Sequence, residues 1–328
     1  MTSADRPRVF ISRSLPGDEP LARVREAADV DLWEHERPPT VEELTAHSEG
    51  CDGLLTMLTE RIDDALLDAS PGVRVVATMA VGYDNIDIPA ATERGVLVTN
   101  TPGVLTETTA DLTFSLILAA ARRLSEGERA VRDGEWGPWH PTWLLGHDVN
   151  GATLGIVGPG RIARAVAVRA AAFGMRVIYH GRRQVADFPG EQVSFDDLLA
   201  TADFVSVHVP LTDETEGMFD AAVFAAMQPH SIFVNTARGP VVDQPALTSA
   251  LREGRIAAAA LDVMTPEPLA PDDPLLSAPN LLVVPHVGSA TEQTRERMAA
   301  LAVDGLLAGL RGDRPEHLVN PEAWERRP

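Results

Sequence analysis

Residues 153–163 read TLGIVGPGRIA, an apolar run that closes on Gly158-Pro159-Gly160 and opens at once into a helical stretch, with Ala163 where a third glycine often sits. A turn of this composition lets backbone come close to a pyrophosphate, and the helix after it offers free N–H groups and the positive end of its dipole. Pro159 has no N–H to give, so Gly158 and Gly160 shape the turn while Arg161, Ile162 and their neighbours must donate. An ordinary tight turn is the competing reading, and the strand before it and the helix after it weigh against that.

The same alternation continues downstream. MRVIYH, FVSVHVP, SIFVNTA, IAAAALDV and LLVVPH are apolar strands separated by helical stretches, one over Ile162 to Phe173 and a short one around Phe195 to Leu199. Together with TLGIVG they predict a doubly wound parallel sheet, the nucleotide-binding form of the α/β class. Upstream, VFIS from Val9, GLLTML from Gly53, VRVVATMA from Val73 and GVLVTN from Gly95 read as a second set of βα units. Thr106 to Arg129 reads as one long helix, apolar almost all round and therefore expected to be buried between domains or subunits. A helical run from Glu292 to Leu310 precedes a Pro-rich tail.

A chain of 328 residues with 45% hydrophobic residues has room for two domains, each with its own core, and is not a disordered chain. Its 48 acidic against 28 basic side chains give a formal charge of -20, which repels phosphate backbones and anionic lipid surfaces. Neither nucleic acid nor membrane is therefore expected as a partner. All 28 basic residues are arginine. That excludes a Schiff base, a Walker lysine and a lysine general base. Cys51 is the only cysteine, which rules out a disulfide within the chain and a thiolate zinc cluster, and it suits the reducing cytoplasm. No metal site is expected. The start has no apolar signal stretch, and the best apolar run, Leu112 to Ala121, falls short of the ~20 residues that a membrane span needs.

About twenty residues beyond the glycine turn, an NAD-specific fold carries an acid that binds the ribose hydroxyls. Here the strand RVIYH ends in Gly181-Arg182-Arg183. A carboxylate would repel a 2′-phosphate, whereas a glycine makes room for it and guanidinium groups pair with it, so NADP(H) is expected as the preferred cofactor and NAD(H) as the lesser one. Two solvated arginines on a loop would leave that choice open.

Several stretches, in order along the chain, carry a family resemblance: GLLTMLTERID, AVGYDNIDI, NTPGVLTETTADLTFSLILAAARR, the glycine turn, HVPLTDETEG, VNTARGPVVD, ALDVMTPEPL and PHVGSAT. From about Gly53 to Gly288 the chain resembles the D-isomer-specific 2-hydroxyacid dehydrogenases, and within them the glyoxylate/hydroxypyruvate reductases. The resemblance implies two Rossmann-like domains: an NAD(P)-binding domain at 101–288, inserted into a discontinuous flavodoxin-like substrate domain of residues 1–100 and 289–328, with the cleft between them.

Arg238 in NTARG, Glu267 in TPEP and His286 in PHVGSAT stand where that family's catalytic trio lies. The residue types suit reduction of a 2-keto acid by NADPH, which needs a proton for the growing alkoxide and a fixed cation for the substrate carboxylate. Imidazole titrates near neutral pH and can give the proton, a carboxylate beside it favours imidazolium and fixes the ring, and arginine pairs with an acid through two parallel bonds. The resemblance also implies that N–H groups near Val81 and Gly82 bind the substrate carboxylate, a plain turn being the alternative. Met57 and Leu58 match positions that contact small substrates, with core packing an equal reading. Asp262 matches a residue that binds the nicotinamide carboxamide, and Pro210, Thr236, Ala237 and Gly288 match cofactor-lining positions.

The stretch EWGPWHPTW resembles an arm that reaches a neighbouring subunit, where Trp139 either helps to close the partner's site or only anchors the interface; both imply a homodimer. Other small acids such as 2-ketogluconate, phosphite oxidation, and a cofactor-sensing regulatory protein remain as alternatives. An intact trio argues against the last. Phosphoglycerate dehydrogenase lies further off, because a long regulatory extension is absent, although short forms exist.

Overall fold

The apolar runs of the first hundred residues form a parallel sheet of β1 (Arg8–Ile11), β2 (Asp29–Leu32), β3 (Gly53–Thr56), β4 (Val75–Thr78) and β5 (Leu97–Thr99), linked by helices α1 (Asp18–Ala27), α2 (Val41–Ser48), α3 (Asp64–Ala69) and α4 (Ile88–Glu93). The computed structural model describes residues 6–327. They divide into two units, one of residues up to Leu105 together with those from Ala290 onward, the other Thr106–Ser289.

The first unit has the strand order β2-β1-β3-β4-β5, the flavodoxin-like order of an open doubly wound sheet. Phe10, Leu54, Val76 and Val98 point to the face covered by α2, α3 and α4, where Leu44, Leu66, Leu67 and Ala91 complete a buried cluster. Side chains alternate along a strand, so Asp-Val-Asp-Leu of β2 shows the mixed pattern of an edge and is not legible as a buried strand. Helix starts follow the side chains that cap them. Thr40 and Glu43 form a reciprocal capping box on α2, and Asp63 and Asp87 accept the N–H of Leu66 and of Ala90.

The second unit contains α5 (Thr106–Ala121), α6 (Leu124–Arg132), β6 (Thr153–Val157), α7 (Arg161–Ala172), β7 (Arg176–His180), β8 (Glu191–Gln192), α8 (Phe195–Thr201), β9 (Phe204–Val207), α9 (Ala221–Ala226), β10 (Ile232–Asn235), α10 (Gln244–Arg252), β11 (Ala258–Leu261) and β12 (Leu281–Val283). Its seven strands run β12-β11-β10-β9-β6-β7-β8. All pairs are parallel, so β6 lies at the point where the winding reverses, beside both β7 and β9. Ligands of such sheets bind outside the carboxyl ends of the strands at this point. One sheet face packs on Phe114 and Ile117 of α5 and Val166 of α7, the other on Leu198, Phe224 and Leu247 of α8, α9 and α10.

The expected helix from Thr106 to Arg129 is in fact two. Ala121 O accepts the N–H of His147, and Arg123 turns into the left-handed region at φ 52, so the first helix ends and α6 starts afresh. The chain then returns to the first unit with α11 (Glu292–Arg311), which packs against α1, β3 and β4. Beyond it Asn320, 1% exposed, accepts the N–H of Val98 and donates to Val96 O, fastening the C-terminal segment to β5. Among the described residues no helix is long and apolar enough to cross a membrane.

Candidate active site

Gly158 leaves β6 at φ 95, a conformation that costs glycine little, and a Cβ there would meet the His208 carbonyl at 2.8 Å. Gly158 and Gly160 thus bring backbone to the switch point with open space at Gly160. Arg161 and Ile162 stand in the first turn of α7, whose N–H groups have no intrahelical acceptor. Gly181 serves close approach, because a Cβ there would lie 2.6 Å from Pro159 Cδ. Next to it Pro159, Arg182, Arg183 and Val185 line a cavity of about 640 Å³. Arg182 is exposed and pairs with Glu214 Oε2 at 3.1 Å. An anion-accepting helix end, two close-approach glycines and a cation-lined cavity fit a dinucleotide phosphate chain.

At the end of β10, the fully buried Asn235 shapes the loop that holds three of the expected residues. Its Nδ2 donates to Arg238 O and its Oδ1 accepts the N–H of Ala237, both at 2.9 Å. Thr236 Oγ1 lies 2.8 Å from Thr113 Oγ1 of α5, whose own hydroxyl donates to Thr109 O. Proton accounting then makes Thr236 the donor in that pair. Pro210 is exposed and its carbonyl accepts the hydroxyl of Thr215.

Beyond β11 the geometry centres on His286. Its Nδ1 lies 2.7 Å from Glu267 Oε2, and Glu267 Oε1 accepts the N–H of Met264 at 3.0 Å. Burial pushes the Glu267 carboxyl up, but the hydrogen bond and charge of His286, the Met264 N–H and the charge of Arg238 outweigh it and hold the group below its ordinary value. With Nδ1 engaged, Nε2 is the nitrogen left to exchange a proton with a ligand. His286 sits at φ 51, a strained position for a residue with a side chain.

Asp262 holds it there. Almost fully buried, it accepts the N–H of Val287 at 2.6 Å and of Gly288 at 2.9 Å, while its carbonyl accepts the N–H of His286. Burial pushes this carboxyl up, against the pull of those donors and of His286. The Gly288 N–H is therefore already used within the loop. The sequence does not reveal these clamps, nor the setting of His208, which Ser206 Oγ meets at 2.9 Å and which burial pushes down to about 4.

The first unit holds the remaining expected residues. Met57 donates its N–H to Glu60 Oε2 at 2.6 Å, and Ser12 Oγ donates to the same oxygen. Asn85 Nδ2 donates to the carbonyls of Met57 and Glu60. Leu58 is 38% exposed, which removes core packing as its explanation. Val81 and Gly82 lie half-buried in the segment after β4, and among the described residues their N–H groups meet no protein acceptor. Trp139 is 84% exposed on a surface segment with Trp136 and Trp143.

Residues 114–288 match the family model described as D-isomer specific 2-hydroxyacid dehydrogenase, NAD binding domain. The chain belongs to this family. A glyoxylate reductase of Korarchaeum cryptofilum is 49% identical over 98% of both chains, and one of Aeropyrum pernix is 48% identical over 97% of both. Among solved structures, a Thermus thermophilus protein at 48% identity superposes with TM-score 0.90 over 95% of this chain and 99% of that one. An NADPH-dependent glyoxylate/hydroxypyruvate reductase of Sinorhizobium meliloti, in complex with NADP and malonate, is 33% identical with TM-score 0.85 over 99% and 100%. This 2-hydroxyacid dehydrogenase is thus an NAD(P)-dependent oxidoreductase.

Proposed function

We propose that the enzyme reduces glyoxylate, and hydroxypyruvate with it, to glycolate and glycerate, with NADPH preferred over NADH. The observation that carries the reading is the His286–Glu267 pair, which leaves Nε2 of an imidazole steadied by a carboxylate to protonate the growing alkoxide. Relatives named glyoxylate reductase at 44–49% identity over nearly the whole chain support the substrate.

NADPH, when bound, supplies the hydride that reduces the keto carbon. The first turn of α7, through Arg161 and Ile162 with Gly158 and Gly160, would hold its pyrophosphate, and Arg182 and Arg183 its 2′-phosphate. Thr236, Ala237, Pro210, Asp262 and Gly288 would line the rest. The Val81 and Gly82 N–H groups take the substrate carboxylate. Arg238 also pairs with that acid and polarises the keto oxygen. Glu267 holds the imidazole's orientation until His286 Nε2 gives up its proton, and Met57 and Leu58 limit the size of the acid. The exposed tryptophans on 135–143 support a homodimer, with Trp139 at the neighbouring subunit's site or only at the interface. Cys51, buried and unpaired, suits the cytoplasm.

Initial rates with glyoxylate, hydroxypyruvate, pyruvate and 2-ketogluconate, each with NADPH and NADH, test the reading. Rapid NADPH-dependent turnover of the first two is expected. Equal or better use of NADH would remove the cofactor assignment, and no turnover of either of the first two would remove the substrate.

A further inference from the structure

The carboxyl edge of the first sheet carries a polar row. Register pairs Thr56 with Thr78 and Ala77 with Thr99, so Asn100, one residue past β5, stands beside Thr78. Its side chain does not stay in the row. Asn100 Nδ2 donates to Val81 O at 2.7 Å, while the next residue, Thr101, donates its main-chain N–H to Ala80 O at 2.8 Å.

Two consecutive carbonyls of the 80–82 segment are thus held by two consecutive residues of the segment after β5. In a trans peptide the N–H points opposite to the carbonyl. Fixing Ala80 O therefore aims the Val81 N–H, and fixing Val81 O aims the Gly82 N–H, both away from residues 100–101 and on the same side. Successive N–H groups pointing one way make an anion-binding concavity, whereas in an extended strand they would alternate. Among the described residues neither N–H is consumed by the protein.

We propose that Asn100 is a positioning residue, whose side-chain amide locks the Val81–Gly82 peptide so that its N–H faces the substrate carboxylate. The assignment rests on the reading of Val81 and Gly82 given above. It adds a residue that touches neither substrate nor cofactor and acts through one peptide plane. Without the amide, that peptide is free to rotate, and its carbonyl oxygen can turn toward the place of the acid and repel it.

The test compares Asn100→Ala and Asn100→Asp with the native full-length enzyme. Glyoxylate kcat and KM at saturating NADPH are read together with inhibition by oxamate, an unreactive keto-acid mimic, and NADPH binding by fluorescence. Asn100→Ala should raise KM and the oxamate inhibition constant by about tenfold, the scale of one hydrogen bond to a charged group, with kcat and NADPH binding within about twofold. Asn100→Asp keeps the shape but presents an ionised oxygen to Val81 O, so its KM should be worse still at pH 7.5. Relative to the native enzyme it should recover toward pH 5, where a protonated carboxyl can donate. A merely structural asparagine would not produce that recovery.

KM within twofold of native in Asn100→Ala, or an Asn100→Asp defect that is independent of pH and shared equally by kcat and cofactor binding, would overturn the assignment while leaving the reductase reading intact. A native enzyme that neither turns over glyoxylate nor binds oxamate would overturn both.

Discussion

His286 Nδ1 and Glu267 Oε2 lie 2.7 Å apart, and the glutamate's other oxygen is held by the Met264 N–H. The carboxylate is therefore not free to swing away, and the ring inherits its orientation. Glu267→Gln keeps the shape but removes the charge beside the ring. Reduction by this variant should be about 10- to 100-fold slower, with NADPH binding within about twofold of native. Native turnover in the folded variant would show that the pair does not govern proton delivery.

Asp262 accepts the N–H groups of Val287 and Gly288 with its two carboxylate oxygens. An asparagine offers one oxygen and turns an NH2 toward the other N–H, so the loop that keeps His286 at φ 51 loses a clamp. Asp262→Asn should lower kcat by about 100-fold, while the circular dichroism spectrum stays native. Full activity in a folded variant would separate the loop clamp from the chemistry.

Arg182 and Arg183 flank a cavity of about 640 Å³ beside the glycine turn. Replacing either by alanine should raise KM for NADPH by about tenfold and leave KM for NADH within twofold, since only the former carries a 2′-phosphate. Equal losses for both cofactors would place the arginines elsewhere in binding.

Burial pushes His208 down from 6.5 to about 4, so the folded protein holds it neutral where the unfolded chain would already protonate it. A depressed value contributes stability that is fully present above the unfolded value near 6.5 and is lost as pH falls toward 4. Denaturant titrations from pH 7.5 to 4 should show stability falling by up to about 1.4 kcal/mol per pH unit in this window. His208→Gln, which can still meet Ser206 Oγ, should flatten it. A native profile flat from pH 6.5 down would contradict the burial argument.

What the sequence made legible were the long apolar strands and the residues embedded in short specific strings. Leu154, Ile156 and Val157 announce β6, and Gly158-Pro159-Gly160 announces the switch point, because apolar runs and glycine turns are local signals. Edge strands β2 and β8 leave no such signal, since their residues are polar or exposed and take meaning only from a neighbour. The break at Arg123 depends on His147 reaching back to Ala121, a contact no local pattern records. The same holds for the supports of the candidate site. Asn85, Asn100, Asn235 and Glu60 act through main-chain groups distant in sequence or across a turn, and a strand-end asparagine alone does not say which carbonyl it will hold.

If His286 delivers the proton during reduction of a small 2-keto acid, its loss must show in turnover and not in cofactor binding. The decisive measurement is steady-state glyoxylate reduction by His286→Ala at saturating NADPH, with NADPH binding measured on the same preparation. Its kcat should fall ~10²-fold or more, with binding of NADPH within about twofold of native. A variant that binds NADPH normally and keeps most of its turnover would contradict proton delivery by His286.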